Sequence, residues 1–268
     1  MPVYKADAIV LRHQAVGEAD RVVTLFTREH GRLRTAARGV RRTTSRLAGR
    51  IQPYTHARLL LARGRTLDVI AQAEVVAAFA GLRSNLTRSV YAAYVAELVD
   101  RFLPDRDRNE NVFALLVSTL AALDQAVEDD AQVHALWFAL HLATELGYRP
   151  ETEACVACGR RVPRALGRGA EAWAFSPALG GTLCPACRAQ DAEAIGASPG
   201  ILAAFVFLLR VSGEALRRLR MSRAQRDELA RLVQAHLEYR LEAKLRSPSV
   251  IRRVEDARNV AAPAISAR

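Results

Sequence analysis

Short stretches rich in valine, isoleucine, leucine and threonine follow one another through the first 80 residues, separated by turn-prone polar segments. Runs of this length and composition, bounded by glycine and acidic residues, are typical of β-strands. The five predicted strands are Tyr4–Arg12, Arg21–Thr27, Gly31–Ala37, Ala57–Ala62 and Thr66–Val76. Five short strands within so few residues predict a small barrel, although the pattern by itself does not choose among barrel types.

From about residue 82 the apolar positions recur every three to four residues, which predicts helices. Asn85 is placed to cap a helix that continues to Leu103, where Pro104 stops it. Four more predicted helices are Glu110–Val127, Asp130–Leu146, Ser198–Leu219 and Ser222–Leu245. Helices of this length bury an apolar face only by packing together, so the sequence predicts an α-helical bundle domain behind the barrel.

The predicted fold class is therefore α+β with several domains. A barrel domain occupies residues 1–80, and a helical bundle domain occupies residues 81–150 and 195–250. An insert at residues 151–194 interrupts the bundle, and residues 251–268 are predicted to be a flexible tail.

Two features of the sequence argue against a membrane or exported protein. The longest apolar run, Ile201–Leu209, is far too short to span a bilayer, and the N-terminal residues lack an export pattern. We therefore expect a cytoplasmic protein, in which cysteines stay reduced and a disulfide framework is not formed.

All four cysteines fall in the predicted insert, as the pairs Cys155–Cys158 and Cys184–Cys187. Two C-x-x-C pairs about 25 residues apart are typical of a tetrahedral zinc site with four thiolate ligands. Disulfides, free buried thiols and a thioredoxin-like redox pair are the alternatives. The sequence predicts one structural zinc ion per chain, because four thiolates leave no open position for a catalytic water.

The charge is strongly basic and almost entirely arginine. The net charge is +11, and only Lys5 and Lys244 among the 39 basic residues are lysines. Residues 28–50 contain eight arginines and a single acidic residue, Glu29. Arginine forks onto phosphate oxygens, so this stretch predicts binding to a sugar-phosphate backbone without sequence specificity.

The candidate DNA-binding residues within this stretch are Arg34, Arg38, Arg41, Arg42 and Arg46. Aromatic residues are scarce in the barrel region, so we expect contacts with phosphates rather than stacking on bases. A second basic cluster, from Arg210 to Arg226, either extends this surface or faces solvent. No P-loop, dinucleotide fingerprint or nucleophilic constellation is present, and the sequence predicts no enzymatic activity and no catalytic residues.

Several motifs along the chain resemble those of the bacterial recombination mediator family RecO. They are Ala8–Arg12, Gly17–Asp20, Leu25–Thr27, Ala37–Arg41, Gly147–Pro150, Phe175–Pro177, Gly180–Gly181 and the two cysteine pairs. The resemblance implies that the barrel is an OB-fold and that the insert in the helical domain binds zinc. Carried over by position, it assigns DNA contacts to Arg38 and Arg41, while Arg34, Arg42 and Arg46 are added from charge alone.

The resemblance also implies a function in DNA repair and recombination. Family members bind single- and double-stranded DNA, anneal complementary strands, contact the acidic C-terminal tail of SSB, and act with RecR to load RecA at gaps and breaks. It predicts a cytoplasmic, nucleoid-associated protein without membrane contact. A zinc-containing transcription regulator and an RNA-binding OB-fold protein are the alternatives; sequence-dependent binding would favour the first, and higher affinity for RNA the second.

Overall fold

The structure is a computed structural model that describes residues 2–163 and 172–261. The chain divides into two compact units. The first contains the described residues within 1–131 and 247–268, and the second contains those within 132–246. The first unit therefore extends well beyond the predicted barrel boundary at residue 80.

Five strands of the first unit form a closed barrel in the order β1-β2-β3-β5-β4. All neighbours are antiparallel except β3 and β5, which pair in parallel through Thr35 and Ala36. This closed five-stranded arrangement is that of an OB-fold, so the α+β fold class and the barrel are confirmed. The strands are β1 (Val3–Val16), β2 (Asp20–Thr27), β3 (Gly31–Ala37), β4 (His56–Ala62) and β5 (Asp68–Ala77).

The barrel core consists of the inward side chains of the alternating strands, such as Val10, Leu25 and Leu61, all fully buried. The long loop between β3 and β4 also contributes to it, because Val40 and Ile51 are buried among the same side chains. These two residues anchor a loop that otherwise carries mostly exposed polar and charged residues.

Three helices follow the barrel: α1 (Gly81–Ser84), α2 (Leu86–Phe102) and α3 (Glu110–Gln125). The Asn85 side chain accepts a hydrogen bond from the Arg88 backbone N–H, which confirms the predicted cap of α2. The Phe113 ring of α3 lies 6.1 Å from that of Phe26 and 5.8 Å from that of His56. This contact explains why helices predicted for a separate bundle belong to the same compact unit as the barrel.

The second unit contains helices around a small three-stranded sheet of order β7-β6-β8, which the sequence did not predict. Its strands are β6 (Trp173–Ser176), β7 (Gly181–Leu183) and β8 (Ile195–Ala197). Its helices are α4 (Glu128–Glu145), which enters this unit at Gln132, α5 (Pro199–Arg210) and α6 (Arg223–Leu241).

The predicted helix from Ser198 to Leu219 is therefore too long. Helix α5 ends at Arg210, and a separate 3-10 turn covers Gly213–Arg218. The Trp137 indole donates to the Val211 carbonyl at 2.9 Å, so a side chain satisfies a backbone group at the point where the helix ends.

The prediction of a flexible tail from residue 251 is corrected by helix α7 (Ser247–Ala261). Residues 251, 254, 255 and 258 of this helix are half-buried, at a spacing of three to four that places them on one face. The helix lies along α2, where Ser247 donates its backbone N–H to Glu97 at 2.8 Å. Residues 262–268 of the predicted tail lie outside the described residues.

Candidate nucleic-acid interface and metal centre

The five predicted DNA-binding arginines lie on one continuous segment of the barrel. Arg34 is on β3, between two inward-facing residues, and the other four belong to the loop that leaves β3. All five side chains are exposed: Arg34, Arg38, Arg41, Arg42 and Arg46.

The start of this loop is held against the turn between β1 and β2. The Gly39 backbone N–H donates to the Asp20 carboxylate at 2.7 Å, and the Arg41 backbone N–H donates to the Ala19 carbonyl at 2.9 Å. The Arg41 guanidinium adds a hydrogen bond to the Gly17 carbonyl at 2.9 Å. The guanidiniums at the start of the loop are thus carried by a backbone fixed on two sides, near the turn that OB-folds use to bind oligonucleotides.

These arginines differ from others in the basic stretch in their ionic partners. Across residues 2–163 and 172–261, no ion pair joins any of the five to a carboxylate. Arg28, by contrast, pairs with Asp7 at 3.5 Å, and Arg32 bridges the carboxylates of Asp100 and Asp105. The eight arginines of residues 28–50 therefore include a structural group and an exposed group without carboxylate partners.

The sequence analysis did not single out two further arginines, which lie in another turn of the barrel. Arg63 and Arg65 are exposed in the turn between β4 and β5, the second turn by which OB-folds contact oligonucleotides. The Arg63 guanidinium lies 4.7 Å from the centre of the Tyr4 ring. The Arg63-Gly64-Arg65 sequence between two predicted strands is the signal that could have identified this turn.

Three arginines of the second basic cluster are engaged within their own unit. Arg210 forms an ion pair with Glu153 at 2.5 Å, and Arg223 forms one with Asp227 at 3.6 Å. The Arg226 guanidinium donates to the Gln132 side chain at 3.2 Å. These contacts favour a structural role for these three arginines.

The four cysteines meet at one point of the second unit. The Sγ atoms of Cys155, Cys158, Cys184 and Cys187 all lie within 4.8 Å of one another. The Sγ atoms of Cys158 and Cys184 are 3.7 Å apart, far beyond a disulfide bond of about 2.05 Å. Four thiolates around a tetrahedral ion with metal–sulfur bonds of about 2.3 Å would be separated by roughly 3.8 Å.

Backbone hydrogen bonds shape this cluster and its acidity. Burial by itself raises the pKa of the Cys155 thiol, but the backbone N–H groups of Cys184, Cys158 and Ala157 outweigh it and lower the pKa to about 6. The Cys187 thiol donates to the neighbouring sulfurs, chiefly those of Cys184 and Cys158, and its pKa is raised to about 12. Without a metal, the surroundings thus favour the thiolate form of Cys155 and disfavour that of Cys187. A bound cation would stabilise both thiolates and remove this difference. The four sulfurs could hold a metal ion.

The chain combines a closed OB-fold barrel that carries exposed arginines with a second unit in which four thiols cluster. It therefore falls into the class of OB-fold proteins with a candidate metal centre. No helix in the described residues is both long and apolar enough to cross a membrane.

Comparisons with known proteins identify the family. The family model for "Recombination protein O N terminal" matches residues 1–79, and that for "Recombination protein O C terminal" matches residues 83–249. The DNA repair protein RecO of Pelotomaculum thermopropionicum is 40% identical over 247 residues, which cover 92% of this chain and 93% of that protein. The DNA repair protein RecO of Roseiflexus sp. is 40% identical over 269 residues, covering 98% and 89%. The chain belongs to the RecO family.

Proposed function

We propose that this protein acts in DNA repair and recombination by binding single- and double-stranded DNA without sequence specificity and annealing complementary strands. Family membership supports the role in repair. The observation that carries the mechanism is the set of five exposed arginines on β3 and its loop, which have no carboxylate partners in the described residues. Such guanidiniums are available to bind phosphates, which is the sequence-independent part of nucleic-acid recognition.

The proposed annealing mechanism is electrostatic. Two complementary strands repel each other through their phosphates, and a cationic surface that holds a strand lowers this repulsion. Ring stacking would compete with base pairing, and within the described residues the basic loop itself contains no aromatic residue before Tyr54. Bases of a strand bound by arginine alone stay available to pair.

The proposed partners follow from the same charge and from the family. An acidic peptide such as the C-terminal tail of SSB is attracted to a protein of net charge +11. We propose that SSB brings the protein to coated DNA, and that RecR acts with it to load RecA at gaps and breaks. Because the proposed ligand is DNA, we expect the protein to associate with the nucleoid in the cytoplasm.

Zinc is the proposed occupant of the four-thiol cluster. Among the divalent cations that proteins commonly bind, zinc is the one that thiolate ligands favour. A site in which four sulfurs fill the coordination shell is structural. When bound, the ion cross-links the two C-x-x-C turns. We expect no enzymatic turnover from this site, because all four coordination positions would belong to the protein.

The test replaces two arginines whose side chains have no polar partner in the described part of the chain. Arg38→Gln with Arg42→Gln should weaken binding to every DNA sequence alike and slow annealing. The loss of two phosphate contacts should make the fall of log affinity with log salt concentration shallower, by about 1.4 in slope for a single strand.

A matched control carries the same loss of charge elsewhere in the unit. Arg252→Gln with Arg253→Gln changes two exposed residues of α7 and should leave binding and annealing within twofold of the unmodified protein. Equal effects of the two variants, or tighter binding to RNA than to DNA, would contradict the proposal.

A further inference from the structure

A second cationic surface lies on the barrel, chiefly on β1, β4 and β5. It is a groove of about 800 Å³ lined by residues of β1, β4 and β5, by Arg28 and Glu29 of the β2–β3 turn, and by residues of the β3–β4 loop. The barrel order β1-β2-β3-β5-β4 places β4 across the barrel from β2 and β3. The cations on β1 and β4 are therefore on other strands than the second and third strands by which OB-folds bind oligonucleotides, and the two surfaces share Arg46.

Basic side chains occur at successive positions across this groove, one strand after another. Arg28 follows the end of β2, Lys5 is on β1, Arg58 is on β4, and Arg46 and Arg50 lie on the β3–β4 loop. Lys5 and Arg58 are exposed. Lys5 pairs with Leu60 in the register, so Arg58 is its diagonal neighbour, at roughly 7–8 Å. This interval suits successive phosphates of an extended single strand.

The groove also contains three carboxylates, of which two have partners within the barrel. Asp7 lies 2.7 Å from the His56 ring nitrogen and 3.5 Å from the Arg28 guanidinium. Glu29 accepts the Asp7 backbone N–H at 2.9 Å. Glu74 is exposed and stands opposite Arg58 in the register of β4 and β5. Apart from Arg46, which belongs to the first surface as well, four cations face three carboxylates, so the groove keeps a small positive net charge.

The part of β5 beyond Val69, where its pairing with β3 ends, favours a nucleic acid over a peptide as the occupant. An extended peptide binds an unpaired strand edge by adding a strand. Here the register of β5 on β4 is broken at two places, between His56 and Ala57 and between Leu60 and Leu61. Arg50 also donates to the Ala73 carbonyl at 3.0 Å and so occupies part of the edge. Both features oppose strand addition, whereas neither blocks phosphates from the cations above the sheet.

We propose that this groove binds a second single strand of nucleic acid through its phosphates, while the β2–β3 side of the barrel binds the first. The inference rests on the proposed function and adds a stoichiometry to it. A protein that carries both strands converts their encounter from a bimolecular event into an intramolecular one, and the resulting effective concentration accelerates pairing of the unbound portions.

The experiment removes the two exposed cations that lie on the strands themselves. Lys5→Gln with Arg58→Gln should reduce the number of oligothymidylates of about six nucleotides bound per protein from two to one at low salt. The rate of annealing of long complementary strands should fall at least fivefold. The separate variant Glu74→Gln should tighten the second binding event, because it removes the exposed carboxylate beside Arg58.

Three comparisons make the outcome decisive. Arg252→Gln with Arg253→Gln, which removes the same charge from α7, should keep two binding events, and circular dichroism should show that every variant is folded. Two events in the groove variant, with annealing at the unmodified rate, would overturn the inference and leave the proposed function intact. Loss of polyglutamate binding with unchanged strand stoichiometry would overturn it in favour of an acidic peptide, and no strand binding by the unmodified protein would refute both proposals.

Discussion

Two glycines that flank β2, one before it and one after it, share a left-handed backbone conformation, but a side chain would have very different amounts of space at the two positions. Gly17 has a φ of +56° and Gly31 a φ of +62°. A Cβ at Gly17 would have no neighbour within 4 Å, whereas one at Gly31 would lie 2.0 Å from the Asp107 carbonyl oxygen. The chain after α2 thus approaches the β2–β3 turn so closely that only glycine fits there.

We expect Gly17→Ala to destabilise the protein by about 1–2 kcal/mol, the cost of a left-handed conformation for a residue with a side chain. Gly31→Ala should cost clearly more, because the backbone at Asp107 must also move. Urea unfolding of the two variants measures the difference. A loss at Gly31 no larger than at Gly17 would show that the close approach is easily relieved.

At the scale of single elements, the sequence predicts most accurately what is determined locally. The Ser222 side chain and Gln225 form the capping box that their spacing predicts, and α6 begins where expected. The end of α5 depends instead on Trp137, which is more than sixty residues earlier in the sequence. Helix α7 was missed because its half-buried face is short and interrupted by charges, and its partner α2 is remote in sequence.

A chain that ends at Arg246 tests the contribution of α7. Without this helix, the α2 surface that it covers becomes exposed, together with the Glu97 carboxylate that accepts the Ser247 N–H. Losing the half-buried Ile251 and Val254 contacts should lower the free energy of unfolding by about 2 kcal/mol or more. A chain that ends at Ala261 keeps α7 and is the control. Equal urea midpoints for the two chains would show that the helix does not stabilise the first unit.

At the scale of the whole molecule, the cysteine cluster was predictable and the basic surface only in part. Two C-x-x-C pairs specify their geometry by spacing alone, and the four sulfurs do converge. Charge counting could not separate Arg32, which bridges two carboxylates, from Arg38, which has none, because the partners Asp100 and Asp105 come from a later helix and its following loop. It also overlooked Lys5 and Arg58, since single cations on separate strands meet only in the folded barrel.

The two compact units allow the role of the metal to be measured in one of them. Both tryptophans of the chain, Trp137 and Trp173, belong to the second unit, so their fluorescence reports on that unit alone. If zinc is bound as proposed, a chelator that removes it should lower the thermal midpoint seen by fluorescence by more than about 10 °C, because binding of a structural metal contributes directly to folding. Cys184→Ser should show the same low midpoint, and the chelator should shift it no further. At temperatures below this midpoint, the affinity for single-stranded DNA should change less than twofold, because the basic loop after β3 belongs to the first unit. If affinity fell in parallel with fluorescence, the metal would have a part in DNA binding beyond holding its own unit together.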